Sequence, residues 1–100
     1  MKTEYIEIEG KKYKVKIGFG AMMNFEEETG KSITDINGKN DILKLAYSTL
    51  QYNNEDFNYS FREFVDNILD EKPQLFIDLI KLITSLIFNK TEEDSKDKKK

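Results

Sequence analysis

The side chains that could do chemistry in this sequence are carboxylates, lysines, hydroxyls and tyrosines, because it contains no histidine and no cysteine. Those two residue types supply the commonest general base, the commonest transition-metal ligand and a strong nucleophile. A carboxylate pair could still form a hydrolytic site, since such pairs come from distant positions in a sequence. No acidic residue, however, has the clearly apolar surroundings that would raise its pKa. We therefore predict that the protein is not an enzyme, with a carboxylate-dependent enzyme as the alternative of a different class.

Two short segments superficially match ligand-binding motifs. The run Gly30-Lys31-Ser32 ends like a P-loop, but no glycine lies five residues upstream, and the run closes a helix instead of starting one. The side chains of Asp35, Asn37 and Asp41 offer oxygen ligands for calcium, but the glycine is misplaced for an EF-hand loop and no glutamate closes it. The sequence therefore predicts no cofactor and no metal ion.

The charge of the chain argues against nucleic acid as a partner. Its formal net charge is −3, its pI is near 5.0, and Arg62 is the only arginine. Nucleic-acid binders instead gather Lys and Arg on one face. The longest apolar stretch, residues 75–88, contains Asp78 and Lys81 and is too short to span a bilayer. We predict neither a nucleic-acid partner nor a membrane partner.

Alternating apolar residues predict a β-hairpin over residues 4–17. Gly10-Lys11 suits a two-residue type II′ turn, which would pair Ile8 with Tyr13 and Ile6 with Val15. One face of this hairpin would be apolar, and the other would place glutamates opposite lysines.

Apolar residues at helical spacing predict four helices, at about 21–29, 41–52, 61–70 and 73–89. Gly30 ends the first, Asp41 is the expected N-cap of the second, and Ser60 with Glu63 forms a capping box for the third. Pro73 lies in the first turn of the fourth helix. The predicted fold class is α+β, with an N-terminal β-hairpin packed on a bundle of about four α-helices. Residues 1–89 form a single domain in this interpretation.

The fourth predicted helix has more apolar residues than one buried stripe needs. Ile77, Leu82 and Phe88 lie outside that stripe, so this surface is either covered by the same domain or shared with another chain. The following residues, 90–100, carry five lysines and four acids without a large apolar side chain. We predict that they form a disordered charged tail.

Three runs of the sequence carry a family resemblance: Ile6-Glu7-Ile8-Glu9-Gly10-Lys11-Lys12-Tyr13, Ile17-Gly18-Phe19-Gly20-Ala21, and Phe25-Glu26-Glu27-Glu28-Thr29-Gly30-Lys31-Ser32. They resemble the tail assembly chaperones of long-tailed bacteriophages. The resemblance covers about residues 4–88, and its specific part lies in the first third. These motifs are structural, so the family offers no catalytic residues to transfer.

The resemblance implies a protein that acts in the host cell cytoplasm during phage assembly and is absent from the mature virion. Its implied partners are the tape measure protein, which such chaperones coat, and the tail tube protein, which they help to recruit. The alternative within the same broad class is a small virion structural protein of the tail or neck. Self-association into a homo-oligomer stays open.

An apolar helical client calls for an apolar groove with adaptable side chains. The candidate partner-binding residues lie on the first, third and fourth predicted helices. Those on the first helix are two methionines and two glutamates. The candidates are Phe61, Phe64, Phe76, Ile77, Leu82, Phe88, Met22, Met23, Glu26 and Glu27.

Overall fold

The computed structural model describes the backbone of residues 3–99 and the side chains of residues 3–87. An antiparallel two-stranded hairpin packs on four helices, so the predicted α+β class is confirmed. The elements are β1 (Thr3–Ile8), β2 (Lys11–Lys16), α1 (Phe19–Thr29), α2 (Gly38–Asn53), α3 (α-helical over Phe61–Glu63 and π-helical over Phe64–Leu69) and α4 (Pro73–Lys99).

The hairpin turn lies one residue earlier than predicted. Its two loop residues are Glu9 and Gly10, with φ values of 54° and 78°. Positive φ at both positions is typical of a type I′ turn, so the predicted type II′ turn at Gly10-Lys11 is wrong. Gly10 adopts this conformation without steric cost, whereas for a residue with a Cβ, such as Glu9, it costs about 1–2 kcal/mol. The strands pair Ile8 with Lys11, Ile6 with Tyr13 and Glu4 with Val15, which replaces the predicted register.

The two faces of the hairpin are nevertheless those expected from the sequence. The observed register differs from the predicted one by two positions, and an even shift leaves each side chain on its own face. Ile8, Tyr13 and Val15 are buried, while Ile6 and Ile17 are half-buried. The apolar face therefore lies on the helices as predicted.

The first two helices keep their predicted ends more closely than their beginnings. At the end of α1, Gly30 has φ 71° and donates its N–H to the Glu26 carbonyl at 2.8 Å, which confirms the predicted C-terminal glycine. The N-cap of α2 is Asn37, so the assignment of Asp41 to that position is wrong. The Asp41 carboxylate instead reaches back from the first turn and accepts the Asn37 N–H at 2.9 Å. A short 3₁₀ helix, Ile33–Asp35, connects α1 to α2.

The predicted capping box at the start of α3 is confirmed. The Ser60 hydroxyl accepts the Glu63 N–H at 3.1 Å, and the Glu63 carboxylate accepts the Ser60 N–H at 2.9 Å. After this first turn the backbone widens into a π-helix, and Asp70 donates its N–H to the Val65 carbonyl, five residues back, at 2.9 Å. The sequence had predicted an ordinary α-helix over 61–70.

The last helix, α4, begins at Pro73 as predicted and extends past the predicted end at residue 89. The disorder predicted for residues 90–100 is therefore not confirmed.

One core cluster joins the hairpin to all four helices. Its members are Ile8, Tyr13, Val15, Phe25, Leu45, Ala46, Tyr47, Leu50, Phe57, Phe64, Ile68, Leu69, Leu79 and Ile83.

Candidate protein-binding surface

One predicted binding residue, Phe64, belongs to the core. It is fully buried, and its ring centre lies 5.5 Å from that of Phe57 and 6.0 Å from that of Tyr47. A partner could not reach it without opening α3, so this residue is removed from the candidate surface. Its neighbour Phe61 is half-buried and packs edge-to-face on Tyr47 at 5.4 Å. The helical pattern of apolar residues could not distinguish these two environments.

The candidate residues of α1 divide into a structural contact and exposed side chains. Glu26 accepts the backbone N–H of Ile33 at 3.0 Å and thereby fixes the connection that follows α1. Glu27 is exposed, Met22 is half-buried, and Met23 is 61% exposed. Only Glu27 and Met23 therefore present most of their side chains to a partner.

An exposed apolar patch on α1 and α2 includes two residues that the sequence analysis missed. Phe19 is 75% exposed and lies one turn before Met23, while Tyr52 is 58% exposed at the end of α2. A Cβ at Gly20 would overlap the Tyr52 ring, so this glycine lets the ring lie against α1. The spacing of Phe19 and Met23 was a usable signal, but the helix was expected to begin at residue 21.

The fourth helix exposes apolar side chains on the side away from the core. Ile77 is 43% exposed, and Ile80 is half-buried but, among the described side chains, does not pack on the core cluster. Phe76 and Leu82 are half-buried against the core cluster. The side chain of Phe88, the last predicted residue of this set, lies outside the described residues.

An apolar groove opens beside this helix. It has a volume of about 320 Å³ and is bounded by α2, the π-helical part of α3 and the start of α4. Among the described residues, five of the six that line it have apolar side chains and the sixth is Asp70; they are Leu43, Val65, Leu69, Asp70, Pro73 and Phe76. The π-helical turn contributes Val65 and Leu69, and such turns are frequent at functional sites. Among the described side chains, Phe76 is thus the one predicted binding residue that lines this groove.

A second cavity, of about 480 Å³, has a mixed polar and apolar lining. Several of its polar groups already form hydrogen bonds within the protein. The Tyr47 hydroxyl donates to the Tyr59 carbonyl at 2.6 Å, and the Ser48 hydroxyl donates to Glu28 at 3.2 Å. Burial, followed by the nearby carboxylates of Glu28 and Glu63, raises the pKa of Tyr47 above its ordinary value of 10.0. Tyr47 is therefore protonated at neutral pH and acts as a hydrogen-bond donor that ties α2 to the segment before α3.

Two ion pairs stabilise connections between elements of the fold. Lys31 lies 2.8 Å from Asp41 and joins the end of α1 to the start of α2. This hydrogen bond from Lys31, together with the Asn37 N–H, lowers the pKa of Asp41 below its ordinary value of 3.8. A second pair, Lys11 with Asp56, links β2 to the segment after α2. Among the described residues, no group of acids is arranged to hold a metal ion.

Within the described part of the chain, no helix combines the length and the apolar character needed to cross a membrane. The fold and surface define a small α+β domain with an apolar groove at one helix junction. Comparison with protein-family models, curated proteins and solved structures finds no match for this chain.

Proposed function

We propose that this protein is a tail assembly chaperone of a long-tailed bacteriophage. In this proposal it works by stoichiometric binding without catalysis, in the host cytoplasm, and leaves the tail before the virion is complete. Its client is the tape measure protein, and it helps to recruit tail tube subunits. The resemblance to this family, which covers about residues 4–88 and is specific in the first third, supports the proposal from the sequence side.

The observation that carries the proposal is the apolar groove together with the outer side of α4. The groove is lined by Leu43, Val65, Leu69, Pro73 and Phe76, and Ile77 lies one helical turn after Pro73. An amphipathic helix inserts its apolar face into grooves of this kind, with anchors spaced three or four residues apart. A tape measure protein is rich in such helices, which need protection before the tail forms.

The energetics favour Ile77 as the main contact outside the groove. It is 43% exposed, so a client can remove a large part of its surface from water. Complete burial of an isoleucine side chain contributes about 1.5–3 kcal/mol relative to full exposure, so the gain here is a fraction of that. Several such contacts are needed, because association itself costs at least about 4 kcal/mol in lost translational and rotational freedom. Leu82 is a weaker choice for a test, since it packs on the core cluster.

Acidic residues near the groove indicate that basic residues should flank the apolar face of the client. Asp70 lines the groove, and the adjoining Glu71 and Asp78 are exposed. Lysines or arginines beside the client's apolar stripe would face these acids, which adds specificity more than affinity.

The experiment is co-expression with the tape measure and tail tube proteins of the same genome, followed by size-exclusion chromatography with light scattering. The Ile77→Asp variant tests the outer side of α4, because it places a carboxylate in the proposed interface. Asn58→Asp is the matched control, since it adds the same charge at an exposed position in the segment before α3. Circular dichroism verifies that both variants keep their helices.

The expected result is a defined complex that keeps the tape measure protein soluble, is weakened at least about tenfold by Ile77→Asp and is unchanged by Asn58→Asp. The Met23→Asp variant tests in the same way whether the exposed apolar patch of α1 contacts the client. If Met23→Asp weakens the complex and Ile77→Asp does not, the groove assignment is wrong. If the chain forms no complex with either the tape measure protein or the tail tube protein, the chaperone function is refuted.

A further inference from the structure

The two outer edges of the hairpin differ in whether their backbone groups are hydrogen-bonded to the rest of the fold. At the outer edge of β2, the Lys14 N–H donates to the Asn54 side chain at 3.0 Å, and the Asn54 amide donates back to the Lys14 carbonyl at 2.9 Å. The Asn53 amide donates to the Lys16 carbonyl at 2.9 Å. The end of α2 thus occupies this edge in the way that a third strand would.

Among the described residues, none covers the outer edge of β1 in this way. Tyr5 lies directly opposite Lys14. Because the Lys14 backbone groups point away from β1, this is a non-hydrogen-bonded pair, and the Tyr5 N–H and C=O also point outward. The same holds for Glu7, two residues further along. Within the described part of the chain, no hydrogen bond reaches the outward groups of either residue, and the Tyr5 side chain is 62% exposed.

We propose that this open edge pairs with the same edge of a second copy, antiparallel and two-fold symmetric, with Tyr5 opposite Tyr5. The result is a four-stranded sheet in the order β2, β1, β1, β2. A two-stranded sheet is marginal by itself, and an uncovered edge is a template for pairing with another chain. This inference concerns the hairpin and does not depend on the proposed chaperone function.

The residue types of β1 select this register. The outward groups belong to the alternate residues Thr3, Tyr5 and Glu7, so these must pair with one another. Tyr5 opposite Tyr5 places Thr3 opposite Glu7 on both sides, and every outward group of the three residues gains a partner. A register centred on Glu7 would set two carboxylates face to face, which is destabilising. The other registers leave at least one of the three without its counterpart.

The acidic residues of β1 oppose this pairing only in part. The two Glu4 residues are diagonal neighbours on one face, about 7–8 Å apart, and repel each other modestly. In the proposed register, the Glu7 residues of the two copies are separated by four residues along the strand, about 13 Å. That exceeds the Debye length of about 10 Å at 0.1 M salt, so their repulsion is largely screened. Within each copy, Lys12 lies directly opposite Glu7.

Single cysteines test the register directly, because the chain contains no cysteine of its own. In the proposed register, the two residues at position 5 form a hydrogen-bonded pair with Cα atoms about 5.5 Å apart, which is within the range for a disulfide. The Tyr5→Cys variant of the full chain should therefore give a covalent dimer under mild oxidation. Thr3→Cys and Glu7→Cys should each fail to crosslink alone and should crosslink when mixed. Asn58→Cys measures the background from random collision.

Equal crosslinking at positions 3, 5 and 58, or none above background at position 5, would overturn the proposal.

Light scattering across a range of concentrations gives a second measurement without cysteine. Tyr5→Pro removes the N–H that the pairing needs while sparing the bonds to β2, and proline is tolerated at such edge positions. Dimer affinity should fall about tenfold or more in Tyr5→Pro, because two intermolecular hydrogen bonds are lost. Tyr5→Ala keeps that N–H, so its dimer affinity should fall less than that of Tyr5→Pro. An equal loss of dimer affinity in the two variants would refute the backbone pairing.

Discussion

Replacement of Phe57 by alanine tests how the helices are held to the hairpin. Phe57 lies between α2 and α3, in a segment without helix or strand, yet it is only 5% exposed. Four aromatic rings surround it with ring centres at 5.3–5.7 Å, those of Tyr13, Tyr47, Tyr59 and Phe64. These rings come from β2, α2, the segment before α3 and α3 itself, so one side chain connects most of the fold.

The expected loss in the free energy of unfolding follows from this environment. Truncation of a buried phenylalanine to alanine costs about 3–5 kcal/mol, because apolar contact is lost and a cavity remains. Phe57→Leu keeps most of the apolar volume but loses the edge-to-face ring pairs, each worth about 0.5–1.5 kcal/mol. Since these pairs share one ring and are not additive, we expect Phe57→Leu to cost about 1–3 kcal/mol.

Urea unfolding followed by circular dichroism measures both losses. Phe19→Ala is the matched control, since Phe19 is 75% exposed and its truncation should change the free energy of unfolding by less than about 0.5 kcal/mol. A small domain has only about 5–15 kcal/mol of stability, so the Phe57→Ala midpoint should fall clearly below that of the control. Equal midpoints for Phe57→Ala and Phe19→Ala would refute the central role of this ring.

Three further predictions concern polar groups. Glu26→Ala should destabilise the fold by about 1–2 kcal/mol in urea unfolding, because a hydrogen bond from a backbone N–H is lost, whereas exposed Glu27→Ala should stay within about 0.5 kcal/mol. Thr49→Val should raise the melting temperature, since the Thr49 hydroxyl is buried without a partner among the described residues, and Ser48→Ala should lower it because Ser48 donates a hydrogen bond. The lowered pKa of Asp41 stabilises the fold above its ordinary value of 3.8, and this contribution is lost as pH falls through the lowered pKa. The stability difference between the wild type and Asp41→Asn should therefore shrink in acid, and a difference independent of pH would contradict the assignment.

The fold was largely predictable because local signals agreed with one another. Apolar alternation gave the hairpin faces, and the Ser60–Glu63 capping box, Gly30 and Pro73 marked helix ends correctly. The turn was misplaced because Glu9-Gly10 and Gly10-Lys11 both put glycine in a two-residue loop, and an even register shift preserves the faces. The π-helical turn of α3 was not predicted, because its apolar residues follow the same spacing as in an ordinary α-helix.

The binding surface was less predictable than the fold. A hydrophobic side chain on a helix serves equally well as core or as interface, and only the packing of the whole domain decides between them. Phe64 and Ile77 show both outcomes, since the first is fully buried and the second is 43% exposed. Phe57 was overlooked for a related reason: it lies in an irregular segment, where no periodic pattern marks a buried position.

The two proposed contacts use different parts of the protein, so they can be tested independently. Pairing at β1 depends on backbone groups around Tyr5, whereas client binding depends on side chains around Ile77. Ile77→Asp should therefore leave crosslinking through Tyr5→Cys unchanged. If Tyr5→Pro lowers client affinity while circular dichroism stays constant, the dimer contributes avidity by presenting two grooves to one elongated client. If Tyr5→Pro leaves client affinity unchanged, each copy binds its own segment of the client, and the β1 pairing serves assembly of the chaperone alone.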